Sequence, residues 1–200
     1  AAISTFDGEE LAAGTVHQKL AKHCGLLTII VPRHPDRADA IEAQLNGMGL
    51  KVARRSRNDL ITPDVDIFLG DSIGEMGMYL RLTQIAFVGR SLTNEGGQNP
   101  LEPAMLGCAV LSGPHVQNFR EPYQRLLRAG GAKIIRDTEM LVKAVYFLVS
   151  NDNERLKMIS SGSSVIEEMR GALGITMKAL EPYISPLTVS AKLKARSAAV

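Results

Sequence analysis

Residues 89–103 combine a glycine pair, a polar helix start and a carboxylate, a set that suits the binding of a phosphate and a sugar. Gly96 and Gly97 let the backbone approach a ligand closely because they carry no side chain. Asn99 suits a helix cap, and the free N–H groups of a helix start attract phosphate. Glu102 can accept hydrogen bonds from ribose or sugar hydroxyls. We favour this interpretation over the alternative, a tight turn with a capping glutamate.

Two further segments place polar or glycine residues directly after an apolar run. Residues 32–35 (PRHP) contain Arg33, whose planar guanidinium suits a phosphate or a base edge, and His34, which can cap a helix or bond a ligand. A surface loop explains this segment equally well. In residues 70–76 (GDSIGEM), Gly74 falls in a predicted first helical turn, where it lowers helix propensity, so close ligand approach gives it a reason.

Other signals at these junctions favour structure over chemistry. Met76 can pack on a base, although a methionine at such a position is more often in the core. Residues 112–115 (SGPH) are typical of a simple strand-to-helix turn. A cap residue followed three positions later by a glutamate fits a capping box, and each such pair alone favours helix capping. These pairs are Asp7–Glu10, Ser72–Glu75, Asn99–Glu102 and Asn118–Glu121.

The elements that must position these residues alternate along the chain. Continuously apolar runs are typical of strands covered on both faces of a parallel sheet. We predict strands at residues 26–31, 50–53, 65–69, 85–88, 109–111 and 133–135, with residues 1–4 as the end of another. We predict helices at residues 9–23, 36–46, 139–150, 153–168 and 173–183. The fold class is therefore α/β, a doubly wound Rossmann-like parallel sheet, whose ligands bind beyond the carboxyl ends of the strands.

Composition excludes several classes of function. With 23 basic and 21 acidic residues, 4% aromatics and no Trp, the chain lacks the basic footprint and stacking rings of a nucleic-acid-binding protein. The GxGxxG and GxxxxGK[ST] motifs are absent, which argues against a dinucleotide dehydrogenase and a P-loop NTPase. The four histidines show no metal-ligand spacing, so we expect no metal and no cofactor.

Cellular context can also be predicted from the composition. Two cysteines without a CxxC pattern favour buried, reduced thiols. No run approaches the length of a transmembrane helix, so we expect the chain itself to be soluble. Because it begins with Ala1 rather than Met, we expect it to be part of a longer polypeptide.

A series of short motifs, in a fixed order, resembles the C-terminal domain of the 3-deoxy-D-manno-octulosonic acid (Kdo) transferases. The similarity runs from the first residue to about Tyr183. The motifs are STFDGEE (4–10), VPRHP (31–35), LGDSIGE (69–75), FVGRSL (87–92), GGQNPLEPA (96–104) and GPHVQNF (113–119).

The resemblance implies the C-terminal half of a GT-B fold, in which two Rossmann-like domains enclose the active site. This half would hold CMP-Kdo for transfer to a lipid A precursor in lipopolysaccharide biosynthesis. The resemblance places the catalytic carboxylate, the acceptor site and the membrane anchor in the N-terminal domain, so no catalytic residue is expected in this chain. It implies action at the cytoplasmic face of the inner membrane without a tightly bound metal. We assign residues 1–183 to the nucleotide-sugar-binding domain and residues 184–200 to a tail expected to be partly disordered.

Matching motifs imply a donor-nucleotide site built from several loops. Contacts to the cytidine are implied for two segments, residues 32–34 (PRH) and the loop at residues 70–76. The residues concerned are Arg33, His34, Gly70, Asp71, Gly74 and Met76. Contacts to the phosphate are implied for Ser91, Gly96, Gly97 and Asn99, and contacts to the ribose or nearby groups for Glu102.

Three residues depart from the family pattern, which usually has His in place of Phe6, a second Gly in place of Arg90 and His in place of Gln98. Arg90 either adds a cation to the site or partly blocks it, and Gln98 keeps hydrogen bonding without a titratable group. Two alternatives remain open: another GT-B enzyme of sugar nucleotides, such as a UDP-sugar transferase or an epimerase, and a degenerate, non-catalytic nucleotide-binding domain.

Overall fold

The computed structural model describes residues 1–93 and 95–197, including their side chains except at 23, 24, 172–174 and 185–197. Its seven strands are β1 (Ala2–Thr5), β2 (Thr28–Pro32), β3 (Val52–Arg54), β4 (Ile67–Leu69), β5 (Ile85–Val88), β6 (Ala109–Ser112) and β7 (Ala132–Ile134). They form one sheet in the order β3-β4-β2-β1-β5-β6-β7, and every pairing is parallel. The predicted doubly wound α/β fold is confirmed.

Helices connect these strands. They are α1 (Glu9–Cys24), α2 (Ala38–Gly47), α3 (Met76–Arg81), α4 (Leu101–Met105), α5 (Arg120–Ala129), α6 (Thr138–Ser150) and α7 (Asp152–Ser197), with 3-10 turns at Pro35–Arg37 and Gln117–Phe119. Among the described residues, no helix has the length and apolar character needed to cross a bilayer.

The end of the chain differs from the pattern expected from its sequence. The two helices predicted at residues 153–168 and 173–183 belong to the single helix α7, which also includes residues 184–197. The chain divides into two compact units, one covering Ala1–Val165 and the other beginning at Ile166. The domain boundary at residue 183 stays a prediction, and residues 198–200 lie outside the described part.

Burial explains why the apolar runs form central strands. All residues of β4 and β6 are buried, as expected for strands covered on both faces. Helix α1 packs against β1, β2, α2 and α6. Fully buried aliphatic side chains such as Ile30, Leu45 and Leu111 each stabilise this core by roughly 1.5–3 kcal/mol.

The order of the strands reverses direction at the centre of the sheet. Strand β1 pairs with β2 on one side and with β5 on the other. The loops that follow β1 and β5 therefore run towards opposite sides of the sheet and leave a crevice at its carboxyl edge. In open α/β sheets, ligands bind at this kind of topological switch point.

A close contact between two glycines fixes α7 against the turn before β7. A Cβ added to Gly131 would lie 2.6 Å from the Cα of Gly162. We expect Gly131→Ala to lower the free energy of unfolding by about 1–3 kcal/mol, because the backbone of α7 must move away. Chemical denaturation of the purified chain measures this change.

Gly47→Ala is the control, since no heavy atom lies within 4 Å of a Cβ at that position. It should leave stability unchanged or raise it by up to about 1 kcal/mol, because alanine replaces glycine in the last turn of α2. Equal effects of the two substitutions would contradict the proposed contact.

Candidate functional site

The buried carboxylate of Glu9 joins the ends of β1 and β5. Its side chain is fully buried. Oε2 accepts hydrogen bonds from the backbone N–H groups of Phe6 at 2.9 Å and Arg90 at 2.7 Å. Oε1 accepts from those of Ser91 and Leu92, both at 2.9 Å. Four charge-assisted hydrogen bonds thus offset the cost of burying this charge and hold the two diverging loops together.

Gly89 allows β1 and β5 to approach closely enough for this arrangement. A Cβ at Gly89 would lie 2.5 Å from the carbonyl oxygen of Ser4 and 2.7 Å from Oε2 of Glu9. Real Cβ atoms do not approach other atoms so closely, so only glycine fits here. The sequence signal was present in the GEE and FVGRSL motifs, but it did not reveal that the two motifs bond to each other.

The neighbouring carboxylate of Glu10 connects β1 to the turn that follows β2. It is 1% exposed and accepts hydrogen bonds from Thr5 Oγ1 and Arg37 Nη1, both at 2.9 Å. Sequence reasoning treated this glutamate as half of a capping box. Its hydrogen bonds instead fix the end of β1 relative to the 3-10 turn at Pro35–Arg37.

None of the four predicted capping boxes closes in the described structure. The helices concerned begin after Gly8, Glu75, Pro100 and Phe119, and these positions form no side-chain cap hydrogen bond. The reciprocal backbone bonds of a capping box do not form, because Glu10 bonds to Thr5 and Arg37, and Glu75 accepts from the hydroxyl of Ser72 instead of a backbone N–H. Of the predicted cap residues, Asn99 does accept a backbone hydrogen bond, from the N–H of Leu101. A cap does form at α6, where Asp137 accepts from the N–H of Met140 at 2.7 Å.

Ser91 connects the loop after β5 to the end of β6. It is fully buried, donates its hydroxyl to the carbonyl of Val88 at 2.5 Å and accepts from the N–H of Gly113 at 2.8 Å. A Cβ at Gly113 would collide with the carbonyl of Ser91. The hydroxyl of Ser91 is therefore occupied within the protein, and its contact with a phosphate stays a prediction.

Gly96 and Gly97 are buried and adopt positive φ angles of 123° and 76°. The N–H of Gly97 donates to the carbonyl of Arg90 at 2.7 Å, and the carbonyl of Gly96 accepts from the N–H of Asn118 at 2.8 Å. A Cβ at Gly97 would lie 2.9 Å from the carbonyl oxygen of His115. The glycine pair thus has a structural reason: it lets the loop that follows β6 pack closely against residues 96 and 97. The approach of a ligand to these glycines stays a prediction.

Asn99 and Glu102 lie at the start of α4. Oδ1 of Asn99 accepts from the N–H of Leu101 at 3.1 Å. Helix α4 has only five residues, with Pro103 as its third, so its contribution to the electrostatics of the site is small. Glu102 is half-buried, and among the described residues its carboxylate forms no hydrogen bond or ion pair. It is therefore available to a ligand.

Side chains after three adjacent strands meet at the carboxyl edge. The ring of His34, after β2, lies edge-on to that of Phe6, after β1, with centroids 5.4 Å apart. The guanidinium of Arg90, after β5, lies 5.2 Å from the centroid of the same Phe6 ring. Arg33 is anchored by its N–H to the carbonyl of Thr5 at 3.1 Å, and its exposed guanidinium has no hydrogen bond or ion pair within the described part.

The loop after β4 is organised by internal contacts. A Cβ at Gly70 would lie 2.6 Å from the ring of Tyr79, so this glycine makes room for the ring. The carboxylate of Asp71 accepts from Arg54 Nε and from the N–H of Ser56, both at 2.8 Å. Burial would raise the pKa of the Asp71 carboxyl, but hydrogen bonds from Ser56 and Arg54 outweigh it and lower this pKa. Asp71 thereby fixes the loop to the end of β3.

The remaining two predicted residues of this loop face different surroundings. Gly74 is exposed, has φ 88° and has no heavy atom within 4 Å of an added Cβ. The sequence placed it in the first helical turn, whereas α3 begins two residues later at Met76, which is half-buried. Their proposed contacts with a base stay predictions.

A cavity and a free cysteine lie elsewhere among the described residues. A cavity of about 510 Å³ lies at the opposite, amino edge of the sheet, and its walls include the apolar residues Leu26, Ile85 and Val145. Cys108 is buried and unpaired, and burial raises the pKa of its thiol to about 11, so it is not a poised nucleophile. Among the residues whose side chains are described, no three His, Cys, Asp or Glu could hold a metal ion.

Comparison with known proteins gives consistent similarities. The chain is 36% identical over 185 residues to a 3-deoxy-D-manno-octulosonic acid transferase of Haemophilus influenzae, covering 92% of this chain and 43% of the relative. It is 33% identical over 189 residues to the enzyme of the same name from Bordetella pertussis, covering 92% and 44%. The chain therefore spans less than half the length of these relatives. No model of a protein family matches it.

A solved structure agrees with these similarities. The C-terminal CMP-Kdo binding domain of WaaA from Acinetobacter baumannii superposes with a TM-score of 0.79 and is 27% identical. The match covers 82% of this chain and 86% of that domain. The fold is therefore that of the C-terminal half of a GT-B protein, as the sequence motifs predicted.

The carboxylate of Glu9 can be tested by removing its charge while keeping its shape. We expect Glu9→Gln to lower the free energy of unfolding by on the order of 3 kcal/mol, because the amide NH₂ would face backbone N–H groups that need an acceptor. Chemical denaturation gives the value. Glu121→Gln is the control, because Glu121 is exposed and forms an i,i+4 pair with Arg125. It should cost at most about 0.5 kcal/mol, and a similarly small loss for Glu9→Gln would refute the role of its carboxylate.

Proposed function

Since this chain belongs to the family of Kdo transferases and corresponds to its C-terminal domain, we propose that it is the donor-binding half of a glycosyltransferase that uses CMP-Kdo. The observation that carries this proposal is the reversal of strand order at β1, because ligands of open α/β sheets bind in the crevice at such a point. The loops after β2 and β5 carry Arg33 and Glu102 at this edge, and the charged groups of both have no partner among the described residues. The name of the Acinetobacter baumannii domain, which binds CMP-Kdo, supports this choice of donor.

Two unpaired charged groups of opposite sign suit the two ends of a nucleotide. The guanidinium of Arg33 can bond a phosphate oxygen or the edge of the cytosine. The carboxylate of Glu102 can accept hydrogen bonds from the ribose hydroxyls, because a carboxylate is an acceptor-only group. Their order along the sheet edge, after β2 and after β5, leaves β1 between them. The cytidine monophosphate would therefore lie across the end of β1.

The other candidate residues fit roles around this position. His34 extends the surface next to Arg33, and Gly96 and Gly97 give the backbone a shape that a phosphate can approach. Asn99 orders the turn that leads to Glu102. Gly70, Asp71, Gly74 and Met76 would form the wall on the β4 side, where Asp71 holds the loop rather than the ligand. Ser91 would act through its position, because its hydroxyl is already bonded.

The reaction we propose for the whole protein is a displacement at the anomeric carbon of Kdo. A hydroxyl oxygen of the acceptor forms the new bond, and the bond from the anomeric carbon to the CMP oxygen breaks, with its electron pair leaving on the phosphate. The hydroxyl proton passes to a carboxylate of the N-terminal domain. This chain contributes by stabilising the charge of the departing phosphate.

The acceptor and location follow from the same family. We propose that the acceptor is a lipid A precursor and that the reaction takes place at the cytoplasmic face of the inner membrane. Both belong to the N-terminal domain, which in this family carries the acceptor site and the membrane anchor.

Isothermal titration calorimetry with CMP tests donor binding. We expect weak binding, with Glu102→Gln and Arg33→Ala each reducing affinity about tenfold, as loss of a hydrogen bond to a charged group implies. Glu121→Gln on α5 is the control and should bind CMP as the unaltered chain does. UMP should bind less tightly than CMP if the base is read. The absence of heat at millimolar CMP would reject the donor site, as would affinities unaffected by both substitutions.

The division of labour between the two domains gives a second expectation. The chain alone should transfer no Kdo from CMP-Kdo to a lipid A precursor, because the catalytic carboxylate lies in the N-terminal domain. Joined to an N-terminal domain of the family, it should restore transfer, which product analysis by mass spectrometry detects. Transfer by the chain alone would show that it contains its own catalytic base.

A further inference from the structure

The side chain of Arg90 occupies a fixed position at the crevice, where the family pattern has glycine. We infer that Arg90 is a specificity-determining residue that binds an anionic group of the nucleotide-linked sugar acid. This inference rests on the proposed donor function and adds a contact that the family pattern does not supply. It is carried by the backbone conformation of Arg90, the fixed orientation of its guanidinium and the free Nη groups.

The backbone conformation of Arg90 makes the presence of a side chain there unfavourable. Its φ of 53° lies in the left-handed region, which glycine adopts freely and residues with a Cβ do not. The strain is maintained by the hydrogen bonds of its N–H to Glu9 and of its carbonyl to Gly97. Strained residues of this kind are concentrated at binding and catalytic sites, where their geometry serves the ligand.

Contacts on three sides fix the orientation of the guanidinium. Nε donates to the carbonyl of Glu95 at 3.1 Å. One side of the group faces the Phe6 ring, with Cζ 5.2 Å from the centroid. The backbone of Gly96 is also close, since a Cβ there would lie 3.2 Å from Nε and 3.4 Å from Cζ. Little rotational freedom remains to be lost when a ligand binds.

The two Nη groups remain available. Within the described residues they form no hydrogen bond or ion pair, and the nearby carboxylate of Glu9 is fully engaged by backbone amides. A guanidinium presents a planar fork that matches the two oxygens of a carboxylate or phosphate. The crevice therefore contains a preorganised oxyanion receptor next to the proposed nucleotide position.

Phe6 belongs to the same unit as Arg90. Both residues depart from the family pattern, and they contact each other. The aromatic face stabilises the cation above it, and the ring of His34 makes an edge-to-face contact with the same Phe6 ring. Because the two unusual residues, Phe6 and Arg90, contact each other, we interpret them as one joint change in donor recognition and not as two independent changes of the surface.

The oxyanion could be the phosphate of the nucleotide or the carboxylate of the sugar acid, and titration of three ligands distinguishes them. The ligands are cytidine, CMP and freshly prepared CMP-N-acetylneuraminate, a nucleotide-linked sugar acid that carries a carboxylate. Arg90→Gly should weaken CMP about tenfold and leave cytidine unchanged if the phosphate is the partner. It should weaken only CMP-N-acetylneuraminate if the partner is the carboxylate. Arg90→Lys should recover part of the affinity, because it keeps the charge without the fork.

Controls separate this contact from folding and from general charge. Arg90→Gly relieves the left-handed strain, so the melting temperature should be unchanged or higher, and weaker binding cannot then be attributed to unfolding. Arg128→Ala removes the same charge from the exposed last turn of α5 and should leave all three affinities unchanged.

Failure of the inference can be distinguished from failure of the proposed function. If the unaltered chain binds CMP and Arg90→Gly binds all three ligands equally well, the role of Arg90 is rejected and the donor site stands. If the unaltered chain binds neither CMP nor CMP-N-acetylneuraminate, both are rejected.

Discussion

The buried carboxylate of Glu9 is the interaction on which the arrangement of the carboxyl edge depends. A parallel sheet whose strand order reverses at β1 separates the loops on either side of that point. The separation creates a crevice, and the loops on its two sides then need contacts that hold them in place. The carboxylate of Glu9 supplies most of them by accepting four backbone N–H groups, and the hydroxyl of Thr93 adds one by donating to the carbonyl of Asp7. All four hydrogen bonds are needed, because burying a charge that has no hydrogen-bond partners costs a large free energy.

Polar residues at this edge divide into those that hold the protein and those that remain available. Ser91, Glu10 and Asp71 are buried, and their side chains are bonded within the chain. Arg33 and Glu102 have charged groups without partners in the described part. This division follows from burial. A buried polar group must have a hydrogen-bond partner within the protein, whereas a group that faces a crevice can be solvated until a ligand binds. Proximity to the site alone does not therefore identify a ligand-binding residue.

Electrostatics at the site are local rather than global. A net charge of +2 over 200 residues gives the chain little long-range attraction for anions. The guanidiniums of Arg33, after β2, and of Arg90, after β5, nevertheless place positive charge on both sides of the end of β1. Because Arg90 contacts the Phe6 ring, lies close to Gly96 and donates Nε to the carbonyl of Glu95, its charge is fixed in position. A fixed charge binds a matching anion more tightly than a mobile one does, since less conformational entropy is lost on binding.

The sequence by itself determined the fold class and the positions of the strands. Strand β5 was predicted with its observed bounds, and the other six within two residues, because a strand buried on both faces must be apolar at every position. The order of the motifs likewise identified the family, since each motif is a local string of residues. The loops that carry the candidate residues could also be located, because in a parallel sheet they must follow the strands.

Only the tertiary structure decided what the polar residues in those loops do. The role of Glu9 cannot be read from its neighbours in sequence, because three of its four partners lie 81 to 83 positions away. Each of the glycines at 89, 97 and 113 is required because the chain passes close to a segment that follows or precedes it by 18 or more residues. These segments contain Ser4, His115 and Ser91, respectively. The meeting of Phe6 with Arg90 is likewise invisible in either motif alone. Local sequence specifies periodicity and turn chemistry, whereas the partner of a buried charge is set by which strand ends become neighbours when the sheet forms.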